Sequence, residues 1–330
     1  MNYKKIFVLF ACFSLLVTSF AFTQEFSIEN LTAQTDKFSQ TILKSLPFNS
    51  TIGLNWSDAQ IGKIFPSIPP HFGVGISFGA TTMPANSIRG LADMFDVNIP
   101  NISMGLPLPG YTIEARIGGL FLPFDIGLKY GNLPEIKFGS MLGGMRIDYQ
   151  LMGADIRYAV FDPDLLPIKV SVGLGINRLE GGVSTKLSTG EMKFDFAGRQ
   201  LEVDSPRVGL LWETTTLEFK SQISFPLIIV TPYAGFGLGY AWSKAGYQVK
   251  SDVLIDGATP DQSDFDQLKQ LGVTGINENG FSRIITDSGM TARLFGGISL
   301  NIALIKFDLT LMCNLMDSSF GGTFGIRFQL

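Results

Sequence analysis

At 330 residues the chain has the length of about two ordinary soluble domains or one large membrane barrel. Only 16% of residues are charged, below the roughly 25% of a typical soluble domain, while 45% are hydrophobic. This excludes a disordered chain, and the net charge of −4 speaks against a nucleic-acid binder.

Residues 1–21 carry a basic start at Lys4 and Lys5, an apolar run from Ile6 to Val17, and small residues Ser19 and Ala21 spaced like a cleavage site. They predict a cleaved signal peptide and export. Cys12 would leave with it, so the mature chain would keep Cys313 alone, too little for a disulfide scaffold. Residues 22–71 form a separate N-terminal segment. Leu31, Phe38, Ile42 and Leu46 recur near one helical face, with Asn30 placed to cap it. This segment is predicted either as a helix folded into a barrel lumen as a plug or as a periplasmic stretch. An extra pair of strands using Ser50 to Trp56 is a further alternative.

From residue 72 onward apolar residues alternate with polar or glycine residues over about ten positions at a time, the length of a tilted membrane strand. Ten such stretches are predicted. Val74, Ile76 and Phe78 open the series, followed by Ile113 and Ile117, then Ile126, Leu128 and Tyr130. In the fourth, Met145, Ile147, Tyr149 and Leu151 are placed on the apolar face, with a switch of phase near Gly153 that suggests a bulge. Later stretches centre on Val172, Phe219, Leu238, Leu300 and Leu309, and Phe324 to Leu330 ends the chain. The most apolar window, Ile223 to Trp242, cannot be a membrane helix, since Pro226, Pro232, Gly235, Gly237 and Gly239 would break it repeatedly.

A soluble sandwich has the same period, so the connections decide. They alternate. Gly119–Pro123, Phe161–Pro167, Pro226–Val230 and Ile305–Lys306 are short, whereas Thr81–Gly110, Asn132–Gly144, Leu179–Leu211 and Ser243–Gly289 are mostly far longer. The predicted fold is therefore all-β: a transmembrane up-and-down antiparallel barrel spanning residues 72–330, with about ten strands (range 8–12), short periplasmic turns and long extracellular loops. Trp212, Tyr240 and Trp242 are expected on an outer aromatic girdle.

The closing Phe324-Gly325-Ile326-Arg327-Phe328-Gln329-Leu330 resembles the C-terminal strand of bacterial outer-membrane β-barrel proteins, although it ends on leucine rather than an aromatic residue. That resemblance implies an outer-membrane location, contact with lipid, and recognition by barrel-assembly machinery. It supplies no particular activity.

Nothing in the chain argues for an enzyme. Gly75-Ile76-Ser77-Phe78-Gly79 has the spacing of a nucleophile elbow, but the sole histidine, His71, precedes it and the context is a strand. No cofactor or metal is expected, since Asp261, Asp264 and Asp266 lack the full oxygen set of a calcium loop. The predicted lumenal face carries Glu114, Arg116, Asp125, Lys129, Arg146, Asp148, Asp155, Arg157, Lys169, Glu218, Lys220, Arg293, Asp308 and Arg327, nearly balanced in sign. In so narrow a barrel these charges are expected to pair. Glycines on the same face leave room for opposing arginines, a plug or a small solute. Two functions remain open: a narrow or plugged conduit for small or hydrophobic solutes, or a non-conducting barrel that displays its loops for adhesion or envelope structure.

Overall fold

The computed structural model describes residues 28–62, 71–84, 105–119, 121–137, 146–163, 166–186, 192–196, 199–255, 258, 261, 263–264, 266, 276–277 and 280–330. The expected leader, residues 1–21, lies outside them.

Helix α1 spans Ile28–Asn49, and the strands that follow are β1 (Phe72–Met83), β2 (Leu106–Gly118), β3 (Phe124–Lys137), β4 (Arg146–Phe161), β5 (Lys169–Lys186) and β6 (Met192–Phe196). Next come β7 (Arg199–Ser224), β8 (Val230–Ile255), β9 (Ile276–Asn277), β10 (Gly280–Ile302), β11 (Ile305–Asn314) and β12 (Phe320–Gln329). Ten of them pair antiparallel in the order β1-β2-β3-β4-β5-β7-β8-β10-β11-β12, while β6 and β9 add short pairings at one end. The last strand returns to the first, with Gly73 opposite Gln329 and Thr81 opposite Gly321, so the ten strands close into a barrel.

Why the sheet closes in lipid is visible in the alternation. Val74, Ile76 and Phe78 on β1, Ile113 and Ile117 on β2, Leu174 and Ile176 on β5, and Phe324 and Ile326 on β12 point outward, each more than a third exposed. On β8 this outward apolar row ends at Trp242, and from Pro232 it covers roughly 25 Å of axial height at a tilt of about 45°. Directly above it the outward face turns charged: Arg178 Nη2 lies 3.0 Å from Glu213 Oε1, and Lys244 Nζ lies 3.9 Å from the same oxygen. That row marks the outer water boundary.

Several expectations are corrected. The stretches 179–211 and 243–289 are largely sheet rather than loop, because β5, β7, β8 and β10 run on past the membrane. Strand β8 continues thirteen residues beyond Trp242, about 40 Å along the strand. The inner turn expected at Ile305–Lys306 falls instead at Ala303–Leu304, with Ala303 at a φ of 52°. Lys306 therefore belongs to β11.

The phase switch near Gly153 does not occur. Strand β4 pairs with β3 without a break from Phe124↔Tyr158 to Leu133↔Tyr149. What changes along β4 is the polarity of each face. Tyr149 and Leu151 point inward and are buried, while Asp148 is exposed and does not face the lumen. The side chain of Arg146 lies outside the described residues.

Candidate functional site

The lumen is the site, and the N-terminal segment occupies it. Leu46 and Ile42, one turn apart on α1, share a face with Leu43. They pack with Met83, Leu108, Tyr149, Leu151, Leu179 and Phe295 in a single buried cluster. This apolar lining explains the inward tyrosine and leucine of β4: above the membrane water lies outside the sheet and a helix lies inside it. The expected cap, Asn30, falls within the helix, which begins at Ile28.

Trp212 joins this inner packing and does not sit on the girdle. It pairs with Ala245, three residues beyond Trp242 and on the opposite face, so the two indoles share neither level nor side. Tyr240 and Trp242 do point outward, with ring centroids 4.9 Å apart.

Below Pro47 the helix ends, and residues 50–62 continue down the barrel without regular structure. An irregular backbone in a dry interior needs partners for its polar groups, and the wall supplies them. Asn49 donates from Nδ2 to Thr81 Oγ1 at 2.9 Å and to the Leu108 carbonyl at 2.8 Å. Lys129 Nζ donates to the carbonyls of Ser50 and Ile52 at 2.8 and 2.6 Å. Trp56 Nε1 donates to Glu114 Oε2 at 2.5 Å, and Gln222 Nε2 donates to the carbonyls of Trp56 and Ser57 at 2.9 and 3.0 Å. Ala59 N and Ile61 N donate to Ser224 Oγ and Asp125 Oδ2 at 3.1 and 3.0 Å.

The charges pair as a lattice around this segment. Arg116 bridges Asp125 and Asp155 at 2.5 and 2.7 Å, Arg157 holds Asp125 at 2.8 Å, and Lys220 holds Asp155 at 2.5 Å. Over the intervening strand β8, Arg293 meets Glu218 at 2.6 Å, and it reaches Asn55 Oδ1 at 3.2 Å. Arg327 meets Asp308 at 2.6 Å and Asp58 at 2.7 Å, and Lys306 adds a second cation to Asp58 at 3.0 Å. Lys169 stands apart at the inner rim, half exposed, paired with Asp162 at 2.8 Å.

Glycines make room for these groups. A Cβ at Gly73 would lie 2.8 Å from the ring of Trp56, and one at Gly127 would lie 2.7 Å from Arg116 Nη2. Two voids beside the segment hold about 10 Å³ each, one bounded by Lys129, Asp155, Glu218 and Arg293, the other by Phe48, Thr291 and Asn314. Each has room for about one water.

Sequence reasoning missed Asn55, Trp56 and Asp58, which meet Arg293, Glu114 and Arg327 of the wall, and Asn49, which bonds to Thr81 and Leu108. The available signal was the polar run Asn55-Trp56-Ser57-Asp58 inside a segment otherwise read for its apolar helix face. Ser77, the candidate elbow serine, lies inside a paired strand opposite Thr112 and Gly325, and His71 Nδ1 lies 3.1 Å from the Leu330 carbonyl at the inner end. Among the described residues no group of three or more His, Cys, Asp and Glu side chains is placed to hold a metal ion.

A closed antiparallel barrel with an apolar outer belt and a lumen filled by its own chain defines an integral membrane protein of the outer-membrane β-barrel class. No protein-family model and no curated protein matches the chain. Solved structures that resemble it include the outer membrane protease OmpT from Escherichia coli: 7% identity over 83% of this chain and 100% of that one, TM-score 0.38. The translocator domain of the autotransporter NalP from Neisseria meningitidis matches at 11% identity over 91% and 96%, TM-score 0.38. Ail, the attachment invasion locus protein of Yersinia pestis, matches at 9% identity over 79% and 99%, TM-score 0.24. These likenesses carry no activity to this chain.

Proposed function

We propose that the protein is a non-conducting outer-membrane barrel, sealed by residues 28–62, whose role lies at the cell surface, in adhesion or envelope structure, rather than in catalysis or solute passage. The observation that carries this reading is the continuity of the seal. From Asn49 to Ile61 the segment is tied to strands on every side of the barrel, and the charges that could line an aqueous path are engaged with the segment or with each other. Opening a path would break several charge-assisted bonds together, each worth roughly 1.5–3 kcal/mol. The wall formed by β5, β7, β8 and β10 beyond the membrane supplies the surface such a role needs. Phe324 to Leu330, as the closing strand, fits recognition by barrel-assembly machinery during insertion.

The test is planar-bilayer recording of the purified full chain. A persistently silent bilayer is expected, and regular conductance steps from the wild-type protein would overturn the reading in favour of a conduit. Shortening the β7–β8 extension in a variant that still shows heat-modifiable gel mobility should abolish attachment of cells to their surface partner.

A further inference from the structure

The lumenal segment has a direction. Asp36, toward the N-terminal part of α1, lies 2.7 Å from Arg283 of β10. Arg283 stands five residues past Ser288, which is level with Trp242 at the outer water boundary. Asn49, at the helix end, is tied to Thr81 and Leu108 within the barrel. Ile61 reaches Asp125 at the start of β3, beside the inner turns, and Gly62 lies against His71 and Gly118 at the inner end. Outer, middle and inner positions thus follow in chain order, and the chain then turns into β1 at Phe72.

A helix rises about 1.5 Å per residue, so Ile28 stands about 12 Å beyond Asp36 along the axis, farther from the membrane. The segment therefore does not enter from the periplasm as a cork. It runs from the outer end of the lumen to the inner end. We propose that the Ile28 end of this segment is presented on the outer face of the membrane, with residues 28–62 threaded through the barrel that follows them. The barrel's surface role then includes anchoring whatever precedes Ile28, with residues 28–62 as both stalk and seal. This rests on the outer-membrane reading of the fold but not on the bilayer being silent.

The threading explains two features that a periplasmic cork leaves without reason. The two strands α1 packs against most, β8 and β10, extend past the membrane and form a wall beside it, with β1 and β7 next. The inward face of that wall is apolar where the helix lies, with Leu210, Trp212, Ala245 and Ile285 turned toward it.

The experiment places a ten-residue epitope after Gln24 and, separately, single cysteines in a C313S background. Lys37→Cys reports the exposed upper helix, Met316→Cys the β11–β12 turn at the outer end, and Ile228→Cys the inner β7–β8 turn. Whole cells are probed with antibody and with a membrane-impermeant sulfonated maleimide, before and after lysis. Heat-modifiable gel mobility confirms that each variant is folded. The epitope, Lys37→Cys and Met316→Cys should react on intact cells, and Ile228→Cys only after lysis. An epitope and a Lys37→Cys that react only after lysis, while Met316→Cys reacts on intact cells, would overturn the threading alone. A Met316→Cys that also stays hidden until lysis would overturn the membrane reading together with the inference.

Discussion

Arg327, on the strand that closes the barrel, places Nη1 2.7 Å from Oδ2 of Asp58 in the lumenal segment and Nε 2.6 Å from Oδ2 of Asp308. One guanidinium therefore joins the last strand, its neighbour β11 and the seal. Asp58→Asn removes one charge and leaves Arg327 and Lys306 short of an anion in a dry site, at a cost of about 3 kcal/mol near neutral pH. The expected outcome is a lower temperature for the gel-mobility transition of the folded barrel.

Gly53 sits at a φ of 87°, where side chains other than hydrogen are strained. A Cβ there would also lie 2.9 Å from Glu114 Oε1 and 3.1 Å from Lys129 Cδ. Gly53→Ala should destabilise the seal by roughly 1–3 kcal/mol, read as faster amide exchange at residues 50–56 with the strands still protected.

The Lys129 ammonium holds the carbonyls of Ser50 and Ile52. Lys129→Met keeps the stem and removes both bonds, so it should lower stability by about 2 kcal/mol. Conductance bursts in the bilayer from this variant, absent in wild type, are the expected sign of a loosened seal.

The tryptophans should separate by quencher. In bilayers of brominated lipid, emission from Trp242 should be quenched strongly, whereas Trp212 and Trp56, which face the interior, should be little affected. Single-tryptophan variants measure each in turn, and strong quenching of Trp212 would restore it to the lipid belt.

Strand count, closure and the outward lipid face were legible in the order of residues, because a tilted membrane strand writes a period of two over about ten positions and short turns alternate with long connections. The wall charges were legible for the same reason: Arg116, Asp125, Arg157 and Arg327 interrupt apolar runs at every second position. Their partners were not. Asp58 reaches Arg327 across 269 positions of chain, and no local pattern encodes such a meeting.

The amino-acid order alone determined alternation, since it depends only on successive side chains pointing to opposite faces of a strand. Which face lies toward water was decided by tertiary structure. Within the membrane the oily side of β4 looks out, as at Ile156 and Tyr158; above it the oily side looks in, as at Tyr149 and Leu151, and Asp148 looks out. The backbone keeps one phase throughout, and only the solvent changes, from lipid outside to a helix inside. A strand cannot announce where the bilayer stops or what will fill the space it encloses.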